Sequence, residues 1–310
     1  MWQTIGLLQT NFLAEDTPGE RADMDSFTQV DYRVADGIAT IALNRPQARN
    51  GYTITMAGEL RAAFDRADLD DDVRVVVLTG TGTDFTVGAD LSGGGFDFDT
   101  SEAARAAGQD WVEPAGRVSL RIFSMNKPVI AALHGAAVGA GSTIPLACDF
   151  RLAATDTRFG FVFTRRGITS EGGSFWFLPR LVGLGRAMDW MITGRVFPAS
   201  EALEAGLVHA VYEPDRVLVE AYALAETIIA HTAPVAVAIT RQMLYRASPY
   251  QSLSDEHRIE SMLVRELVQR PDAAEGVMSF LQRRPPAFGA KVSEGLPSFL
   301  PWVGGSAPAG

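Results

Sequence analysis

The sequence predicts an α/β fold that ends in a helical C-terminal region. Short apolar runs that suit buried strands alternate with segments of helical spacing over the first two thirds of the chain. Asp36-Gly37 separates two strand-like runs and is a strong signal for a two-residue β-hairpin. From Pro198 onward the spacing is mostly helical, so helices accumulate after the alternating part.

The elements are expected in a definite order along the chain. Strands are predicted over residues 28–34, 38–43, 74–80, 128–133, 150–154 and 207–211. Helices are predicted over residues 53–69, 200–205, 215–231, 234–247, 251–269 and 272–283. Residues 101–125 form one long helix or, because of Pro114, two consecutive helices. The apolar face of the helix over residues 53–69 is expected to contain Met56, Leu60, Phe64 and Leu69.

The length and composition set the domain organisation. The chain has 310 residues, 47% of them hydrophobic, which is enough for one large domain or two small ones. Residues 1–26 include a polar, turn-rich stretch and are predicted to be a flexible extension. Residues 27–213 are predicted to form the core and residues 214–290 a helical region, whereas residues 291–310 are predicted to be an extended tail.

The charge and the cysteine content exclude several classes of function. The net charge of −10 disfavours a nucleic-acid surface, although local basic groups and helix N-termini still allow an anionic ligand. The single cysteine, Cys148, lies among apolar residues and is predicted to be a buried structural thiol. No apolar run spans a membrane and no secretory signal is evident, so a cytoplasmic location is the default expectation.

The motifs of several common enzyme classes are missing from the sequence. The four histidines show no metal-ligand spacing, and no nucleophile elbow, phosphate loop or dinucleotide fingerprint occurs. We therefore expect no metal, and we expect any catalysis to rely on a carboxylate and on backbone dipoles.

Two segments of small residues follow buried strands. They comprise residues 86–95 (TVGADLSGGG) and 134–143 (HGAAVGAGST). Small residues let a backbone approach a ligand closely, and two converging N–H groups can form an oxyanion hole. Ordinary tight turns explain the same composition, so these residues alone leave both interpretations open.

Four motifs in fixed order resemble those of the crotonase (enoyl-CoA hydratase/isomerase) superfamily. They are residues 41–50 (IALNRPQARN), 85–91 (FTVGADL), 127–135 (KPVIAALHG) and 201–208 (EALEAGLV). With a weaker match near Phe280, the resemblance covers about residues 27–290. It implies a crotonase-type spiral of ββα units, a helical C-terminal oligomerisation region, and homotrimers or dimers of trimers.

The resemblance also assigns roles to individual residues. It implies an acyl-CoA thioester substrate, with coenzyme A as part of the substrate and no separate cofactor. It places the two oxyanion N–H donors on Ala89 and Ala140, where Ala140 replaces a residue that is usually glycine. The implied substrate-binding residues are Arg45, Ala48, Asp90, Leu91, Trp111, Thr143, Phe163, Trp176, Phe280 and Arg283. Hydrogen bonding within its loop is the favoured role for Asp90, and a plain helix-surface role remains an alternative for Phe280 and Arg283.

The acid–base residue departs from the hydratase pattern. Relatives that hydrate enoyl-CoA use two glutamates, and the corresponding positions here hold Thr143 and Phe163. Glu171 lies in a loop that resembles the acidic loop of enoyl-CoA isomerases, and we interpret it as the proton shuttle. Neighbouring aromatic residues such as Phe175 and Trp176 are expected to raise its pKa by desolvation. Helix capping after Ser170 is the alternative role for Glu171.

Three functions follow from these residues. The first is an enoyl-CoA isomerase with Glu171 as acid and base. The second is an enoyl-CoA hydratase that uses Glu171 and water. The third is an acyl-CoA-binding protein without turnover, because both expected glutamates are missing.

Overall fold

The computed structural model describes residues 27–93, 111–246, 253–300 and 302–303. The predicted extension over residues 1–26, the first ten residues of the helix predicted over 101–125, and the end of the predicted tail lie outside these ranges. Gly94 and Gly95 of the first small-residue segment lie outside them as well.

The described residues form strands and helices in the following order. The strands are β1 (Val30–Ala35), β2 (Ile38–Leu43), β3 (Val75–Gly80), β4 (Val129–Leu133), β5 (Ala136–Val138), β6 (Phe150–Ala154), β7 (Arg158–Gly160), β8 (Val196–Pro198) and β9 (Ala210–Tyr212). The helices are α1 (Ile54–Leu69), α2 (Pro114–Ser124), α3 (Ala140–Thr143), α4 (Ser174–Val182), α5 (Leu184–Thr193), α6 (Ala199–Glu204), α7 (Val217–His231), α8 (Pro234–Arg246), α9 (Leu253–Leu267), α10 (Pro271–Gln282) and α11 (Val292–Gly295).

Two sheets organise the N-terminal part. The larger sheet has the order β1-β2-β3-β4-β6-β9, in which β1 and β2 are antiparallel and the other pairs are parallel. The smaller sheet has the order β5-β7-β8. Asp36 and Gly37 both have positive φ in the turn between β1 and β2, as a tight two-residue hairpin requires. The predicted hairpin is therefore confirmed.

Alternating side chains of the larger sheet enter two different cores. In β3, Val76 and Leu78 join the cluster that includes α1 and α2 residues, whereas Val75 and Val77 pack towards α7. Because both faces are covered, the strands read as continuous apolar runs. The sheet thus lies between helices, and its carboxyl edge is left to the loops that follow β3 and β4.

The helical C-terminal region has a separate small core. Val235 and Ile239 of α8 contact Leu263 of α9 and Leu300 near the end of the described chain. Of the helices in the described ranges, none taken singly has the length and apolarity needed to cross a bilayer; α7 and α8 meet these requirements only as a pair bent by 115°.

Most of the long elements agree with the sequence predictions, and the differences have local causes. Leu69 is 78% exposed, so its predicted place on the apolar face of α1 is wrong; it is the last residue of the helix. The strand predicted over residues 207–211 begins only at Ala210, because Leu207 and Val208 are buried in a turn after Gly206. Cys148 is buried, and burial raises the pKa of its thiol to about 12, as expected for a structural residue.

Candidate active site

The loops that follow β3 and β4 pair with each other through their backbones. The Thr86 N–H donates to the Ala136 carbonyl over 2.9 Å, and the Val138 N–H donates to the Thr86 carbonyl over 3.1 Å. The chain then makes a close crossing, because a methyl group added at Gly88 would lie 2.8 Å from the Val138 carbonyl oxygen and 3.5 Å from the Gly139 Cα. Two neighbouring parallel strands deliver both loops to one edge of the sheet, where α/β folds bind ligands.

The crossing brings Gly88 and Gly139 together, the residues that precede Ala89 and Ala140. Ala140 is the first residue of α3, where a helix leaves its N–H groups unpaired. Neither the Ala89 nor the Ala140 N–H donates a hydrogen bond to any residue in the described ranges. Two N–H donors without a described partner on adjacent loops are the groups from which an oxyanion hole is built, and the oxyanion role of Ala89 and Ala140 stays a prediction.

Tyr52 holds the Ala89 loop from the opposite side. Its N–H donates to the Gly88 carbonyl over 2.8 Å, and its carbonyl accepts from the Asp90 N–H over 2.9 Å. These two bonds frame Ala89 and fix the direction of its N–H. The predicted strand and turn pattern gave no indication of this contact, because a single β-bridge leaves no periodicity in the sequence.

Arg45 and Asp90 form hydrogen bonds that stabilise the loop after β2. The Arg45 guanidinium donates to the Gly51 carbonyl over 2.6 Å and to Asp90 over 2.9 Å. Hydrogen bonds from the Ser92 hydroxyl and amide, and then from Arg45, lower the pKa of Asp90 to about 2. The loop-supporting role expected for Asp90 agrees with these contacts. Ala48 ends a short 3₁₀ turn in the same loop, and its carbonyl accepts from the Gly51 N–H.

Two buried polar residues that the sequence did not single out hold the loops together. Asn50 is fully buried; its amide donates to the Thr81 and Asp84 carbonyls, and its oxygen accepts from the Arg45 N–H. Asp84 accepts from the Ala136 N–H over 2.8 Å, and a hydrogen bond from Arg49 is the main reason that its pKa is lowered to about 2. Asn50 has a positive φ, and Asn is one of the few residue types that tolerate it.

Glu171 lies in the loop before α4 and not in the helix. That helix starts at Ser174 with Gly173 in the N-cap position and no side-chain cap, so helix capping by Ser170 is wrong. Gly172 has a positive φ of 65°, and a methyl group there would lie 2.8 Å from the Thr143 hydroxyl oxygen. The Glu171 loop therefore packs directly against α3, whose first residue carries the Ala140 amide.

A second carboxylate, Glu113, accompanies Glu171. Glu113 is the N-cap of α2, where one carboxylate oxygen accepts from the Gly116 N–H over 2.6 Å. The other oxygen accepts from the Gly172 N–H over 2.8 Å. Burial, the charge of Glu113 and a side-chain hydrogen bond with Glu113 raise the pKa of Glu171 to about 8.

The carboxyl pair and the Ala89 loop are connected through Tyr52. The buried Tyr52 hydroxyl donates to the Pro114 carbonyl over 3.3 Å, next to Glu113. Burial and the charges of Glu171 and Glu113 raise the pKa of this hydroxyl, and Arg117 partly opposes them. The charges of both carboxylates thus act on the Tyr52 side chain, while the Tyr52 backbone bonds to the residues on either side of Ala89, so this residue connects the carboxyl pair with the Ala89 loop.

The predicted aromatic neighbours of Glu171 differ in their exposure and their contacts. Phe175 is 62% exposed. Trp176 packs against Phe123 and Phe177 and carries the Arg180 guanidinium over its ring. Phe163 and Thr143 are both buried, at the two positions where a hydratase would hold glutamates. The expected rise in the pKa of Glu171 is present, but Glu113 is a cause that the sequence did not reveal.

Four predicted substrate-binding residues lie at the margins. Leu91 is exposed, and Trp111 is partly buried at the start of the second described range, two residues before Glu113. Phe280, on α10, is 81% exposed, and Arg283 ends that helix with a positive φ. Within the described chain, neither of these last two side chains hydrogen-bonds or stacks on a residue of the site.

The described residues offer no obvious metal centre. In these ranges no group of three or more His, Cys, Asp or Glu side chains comes together to hold an ion. The prediction that coenzyme A enters only as part of the substrate stays a prediction.

The fold and the site together define a class of protein: an α/β chain whose loops at one sheet edge carry two main-chain amides without a partner in the described ranges, with two partly buried carboxyl groups packed nearby. A family model described as enoyl-CoA hydratase/isomerase matches residues 33–291. The chain belongs to this family, and it is an enzyme of the family; an acyl-CoA thioester substrate fits it.

Some of the individual relatives are named hydratases and others isomerases. An enoyl-CoA hydratase, ACTT3, from Alternaria alternata is 38% identical over 84% of this chain and 86% of its own length. A trans-2-decenoyl-[acyl-carrier-protein] isomerase from Streptococcus mutans is 30% identical over 86% of this chain and 99% of its own. The crystal structure of a putative enoyl-CoA hydratase from Streptomyces coelicolor A3(2) matches with a TM-score of 0.78 at 32% identity, over 88% of this chain and 99% of its own. The crotonase-type fold expected from the sequence is confirmed.

Proposed function

We propose that the protein moves the double bond of an enoyl-CoA thioester between C3–C4 and C2–C3, with Glu171 as the only acid and base. The observation that carries this proposal is the Glu171 carboxyl itself, which is partly buried in a loop that packs against α3, the helix of Ala140, and whose pKa is raised to about 8. A base whose pKa lies near the working pH removes a proton and returns it with comparable ease.

In the proposed reaction, the thioester oxygen of a 3-enoyl-CoA accepts hydrogen bonds from the Ala89 and Ala140 amides. The Glu171 carboxylate removes a proton from C2, and the C–H electron pair forms a C1–C2 double bond while negative charge develops on the thioester oxygen. The same proton then returns to C4. The C3–C4 π electrons bond this proton, the C1–C2 π pair forms the new C2–C3 double bond, and the oxygen electron pair restores the C1 carbonyl. No water or second reactant is consumed.

The residues at positions 143 and 163 support isomerisation over hydration by the usual two glutamates. Thr143 and Phe163 are buried, and neither side chain can serve as a general base for water. Glu171 reaches the site from a different loop, and a single carboxyl is sufficient to transfer a proton from C2 to C4.

Hydration remains the second candidate, and a specific observation favours it. Glu113 supplies a second carboxylate next to the Glu171 loop, where it accepts a hydrogen bond from the Gly172 N–H over 2.8 Å. In a hydration, Glu171 would give its proton to C2 while Glu113 took one from the water that adds to C3. The relative from Alternaria alternata that is named a hydratase also supports this candidate.

The two reactions are separated by isotopes. Purified protein is incubated with 3-enoyl-CoA and 2-enoyl-CoA in H₂¹⁸O, and the products are identified by mass spectrometry. We expect double-bond migration without ¹⁸O in the acyl chain; a labelled 3-hydroxyacyl product as the main product would instead establish hydration.

The role of Glu171 is tested in the same assay. We expect Glu171→Gln to lower kcat by about 10²–10⁴-fold, the usual contribution of a general acid–base group. Glu204→Gln, an exposed carboxylate at the end of α6, is the matched control and should keep wild-type turnover. Undiminished turnover in Glu171→Gln would contradict both candidate mechanisms.

A further inference from the structure

Glu171 is the first residue of a tight turn over residues 171–174, which we call the Glu171 turn. The Ser174 N–H donates to the Glu171 carbonyl over 3.1 Å, and the two central residues, Gly172 and Gly173, have φ of 65° and 69°. Positive φ at both central positions is typical of a type I′ turn, and glycine adopts these angles without strain. The proposed base therefore stands at the first corner of a hydrogen-bonded turn.

Neighbouring elements hold the Glu171 turn on two sides of Gly172. The Gly172 N–H donates to the carboxylate of Glu113, the N-cap of α2, over 2.8 Å. On the other side, a methyl group added at Gly172 would lie 2.8 Å from the Thr143 hydroxyl oxygen and 2.9 Å from the Thr143 Cβ. The next atom in that direction, the Ser119 hydroxyl oxygen, would lie 3.4 Å away. The backbone of the turn is thus in direct contact with the Thr143 side chain.

Thr143 connects the Glu171 turn with Ala140. It is the last residue of α3, of which Ala140 is the first, and its side chain is fully buried. Its N–H donates to the Gly139 carbonyl over 3.1 Å, and its hydroxyl donates to the Ala140 carbonyl over 3.4 Å. Because α3 is a single hydrogen-bonded helical turn, residues 140 and 143 keep a fixed separation. One side chain therefore lies between the turn of the proposed base and the helical turn of the Ala140 amide.

We propose that Thr143 is a positioning residue: the size of its side chain sets how closely the Glu171 turn approaches α3, and thereby the distance between Glu171 and the Ala140 amide. This role rests on the proposed acid–base function of Glu171. A smaller side chain would open space behind the turn, and a larger one would push the turn away from α3. A displacement of about 1 Å can cost about 10²-fold in rate, because the base must reach the substrate carbon atoms while the thioester oxygen is held.

Substitutions at Thr143 test this role in the isomerisation of 3-enoyl-CoA. Thr143→Val keeps the branched shape and removes the hydroxyl, whereas Thr143→Ala removes the whole contact beyond Cβ. We expect Thr143→Ala to lower kcat at least about tenfold and to change KM less than about twofold, because the loss concerns the placement of the base. Thr143→Val should lose less of kcat than Thr143→Ala. A valine variant as impaired as the alanine variant would show that the hydroxyl is what matters and would overturn the proposal.

The contact itself is tested by a double variant. Thr143→Gly removes both atoms that a methyl group at Gly172 would meet first, so Gly172→Ala should do less harm in the Thr143→Gly background. We expect the fold-loss of kcat in the double variant to be at least about tenfold smaller than the product of the two single losses. Losses that multiply would mean that the two residues act independently, and they would overturn the proposal. If Thr143→Gly does not fold, the valine and alanine variants decide alone.

A purely structural role for Thr143 predicts a lower Tm and an unchanged kcat. Thr157→Ala is the matched control, because Thr157 is also fully buried and its hydroxyl donates to the Leu133 carbonyl over 3.1 Å, away from the Glu171 turn. This control should lower Tm and keep wild-type kcat. Wild-type kcat in Thr143→Ala, together with an inactive Glu171→Gln, would overturn the proposal while the proposed function stands. Full turnover in Glu171→Gln would instead refute the proposed function, so the two failures are distinguishable.

Discussion

The Glu171 carboxyl makes folding stability depend on pH. Its pKa is about 8 in the folded protein and about 4.3 in an unfolded chain, so the folded state binds the proton more tightly. A raised carboxyl pKa gives a contribution to stability that is complete below about pH 4.3 and is lost as pH rises to about 8. Between these two pH values the unfolded chain has released the proton that the folded chain still binds, so stability falls as pH rises.

Glu171→Gln should remove this loss. Glutamine keeps the length of the side chain but cannot ionise. We expect the variant to be more stable than the wild type at pH 9 by on the order of 2 kcal/mol, and about equal at pH 5. Urea unfolding at the two pH values measures both differences, and a stability difference that does not grow with pH would argue against the buried pair.

Gly172 is a second residue at which one added methyl group should affect both stability and activity. Its φ of 65° is unfavourable for any side chain, and a methyl group would lie 2.8 Å from the Thr143 hydroxyl. We expect Gly172→Ala to cost about 1–3 kcal/mol in the free energy of unfolding and to lower kcat, because Glu171 is its neighbour. The control is Gly58→Ala in α1, where the new methyl group meets no atom within 4 Å and should be stabilising. Equal effects of the two substitutions on unfolding would contradict this account.

At the residue scale, the sequence indicated where two backbone segments approach each other closely, but it did not indicate which side chains and amides form hydrogen bonds with each other. The small residues around Gly88 and Gly139 indicated a close backbone approach, and the structure has one. Glu113 was missed, because a glutamate before a proline at a helix start reads as an ordinary N-cap. Its second acceptor contact, with Gly172, joins segments that are far apart in the chain and have no common pattern.

At the scale of the elements, the C-terminal end of α1 is capped by a buried lysine from another part of the chain. The Lys127 ammonium group donates to the Ala67 carbonyl over 2.8 Å and also to the Asp70 carbonyl, and its side chain is almost fully buried. The last carbonyl groups of a helix have no N–H donors within the helix, and Lys127 supplies a donor to them. A cation at this end of a helix also interacts favourably with the helix dipole.

Lys127→Met should therefore destabilise the fold through α1. The apolar chain length is retained, but buried carbonyls lose a charged donor, and we expect a loss of about 2 kcal/mol in the free energy of unfolding. Lys291→Met is the control, because Lys291 is exposed and its 3.7 Å ion pair with Asp71 should contribute little. Thermal unfolding measures both, and a Tm for Lys127→Met as high as that of the control would refute the capping role.

The long elements could be predicted from the sequence, whereas the short ones could not. Helix α1 and strands β3 and β6 carry enough apolar residues for their period to be read. Strands β5, β7 and β8 have three residues each, too few for an alternation to emerge. They exist because the loops around them are held by tertiary hydrogen bonds, such as that from the Gly139 N–H to the Gly160 carbonyl.

For the whole molecule, the outer face of α5 bears on the predicted oligomer. Leu184, Met188 and Ile192 are four residues apart, so they share one side of the helix, and all three are exposed. We expect light scattering to give a mass three or six times that of the 33.3-kDa chain, as the family resemblance implies. Replacing Met188 and Ile192 together by Asp should shift the mass towards that of one chain.

The control for this experiment is Leu69→Asp, which places the same charge at an exposed leucine outside the stripe. It should leave the mass unchanged. A wild-type mass of one chain would refute the predicted oligomer, and an unchanged mass in the double variant would show that subunits associate through another face.

The pairing of Thr86 with Ala136 and Val138 has a consequence for how this scaffold can acquire new reactions. The part of the site suited to hold the thioester consists of main-chain atoms, which no side-chain exchange removes. The two carboxyl groups, Glu113 at the start of α2 and Glu171 in the loop before α4, are side chains outside that pairing. Thioester binding and reaction type are therefore separable. Exchanging one or two carboxyl groups can change the reaction that is catalysed while the main-chain atoms suited to bind the thioester stay in place.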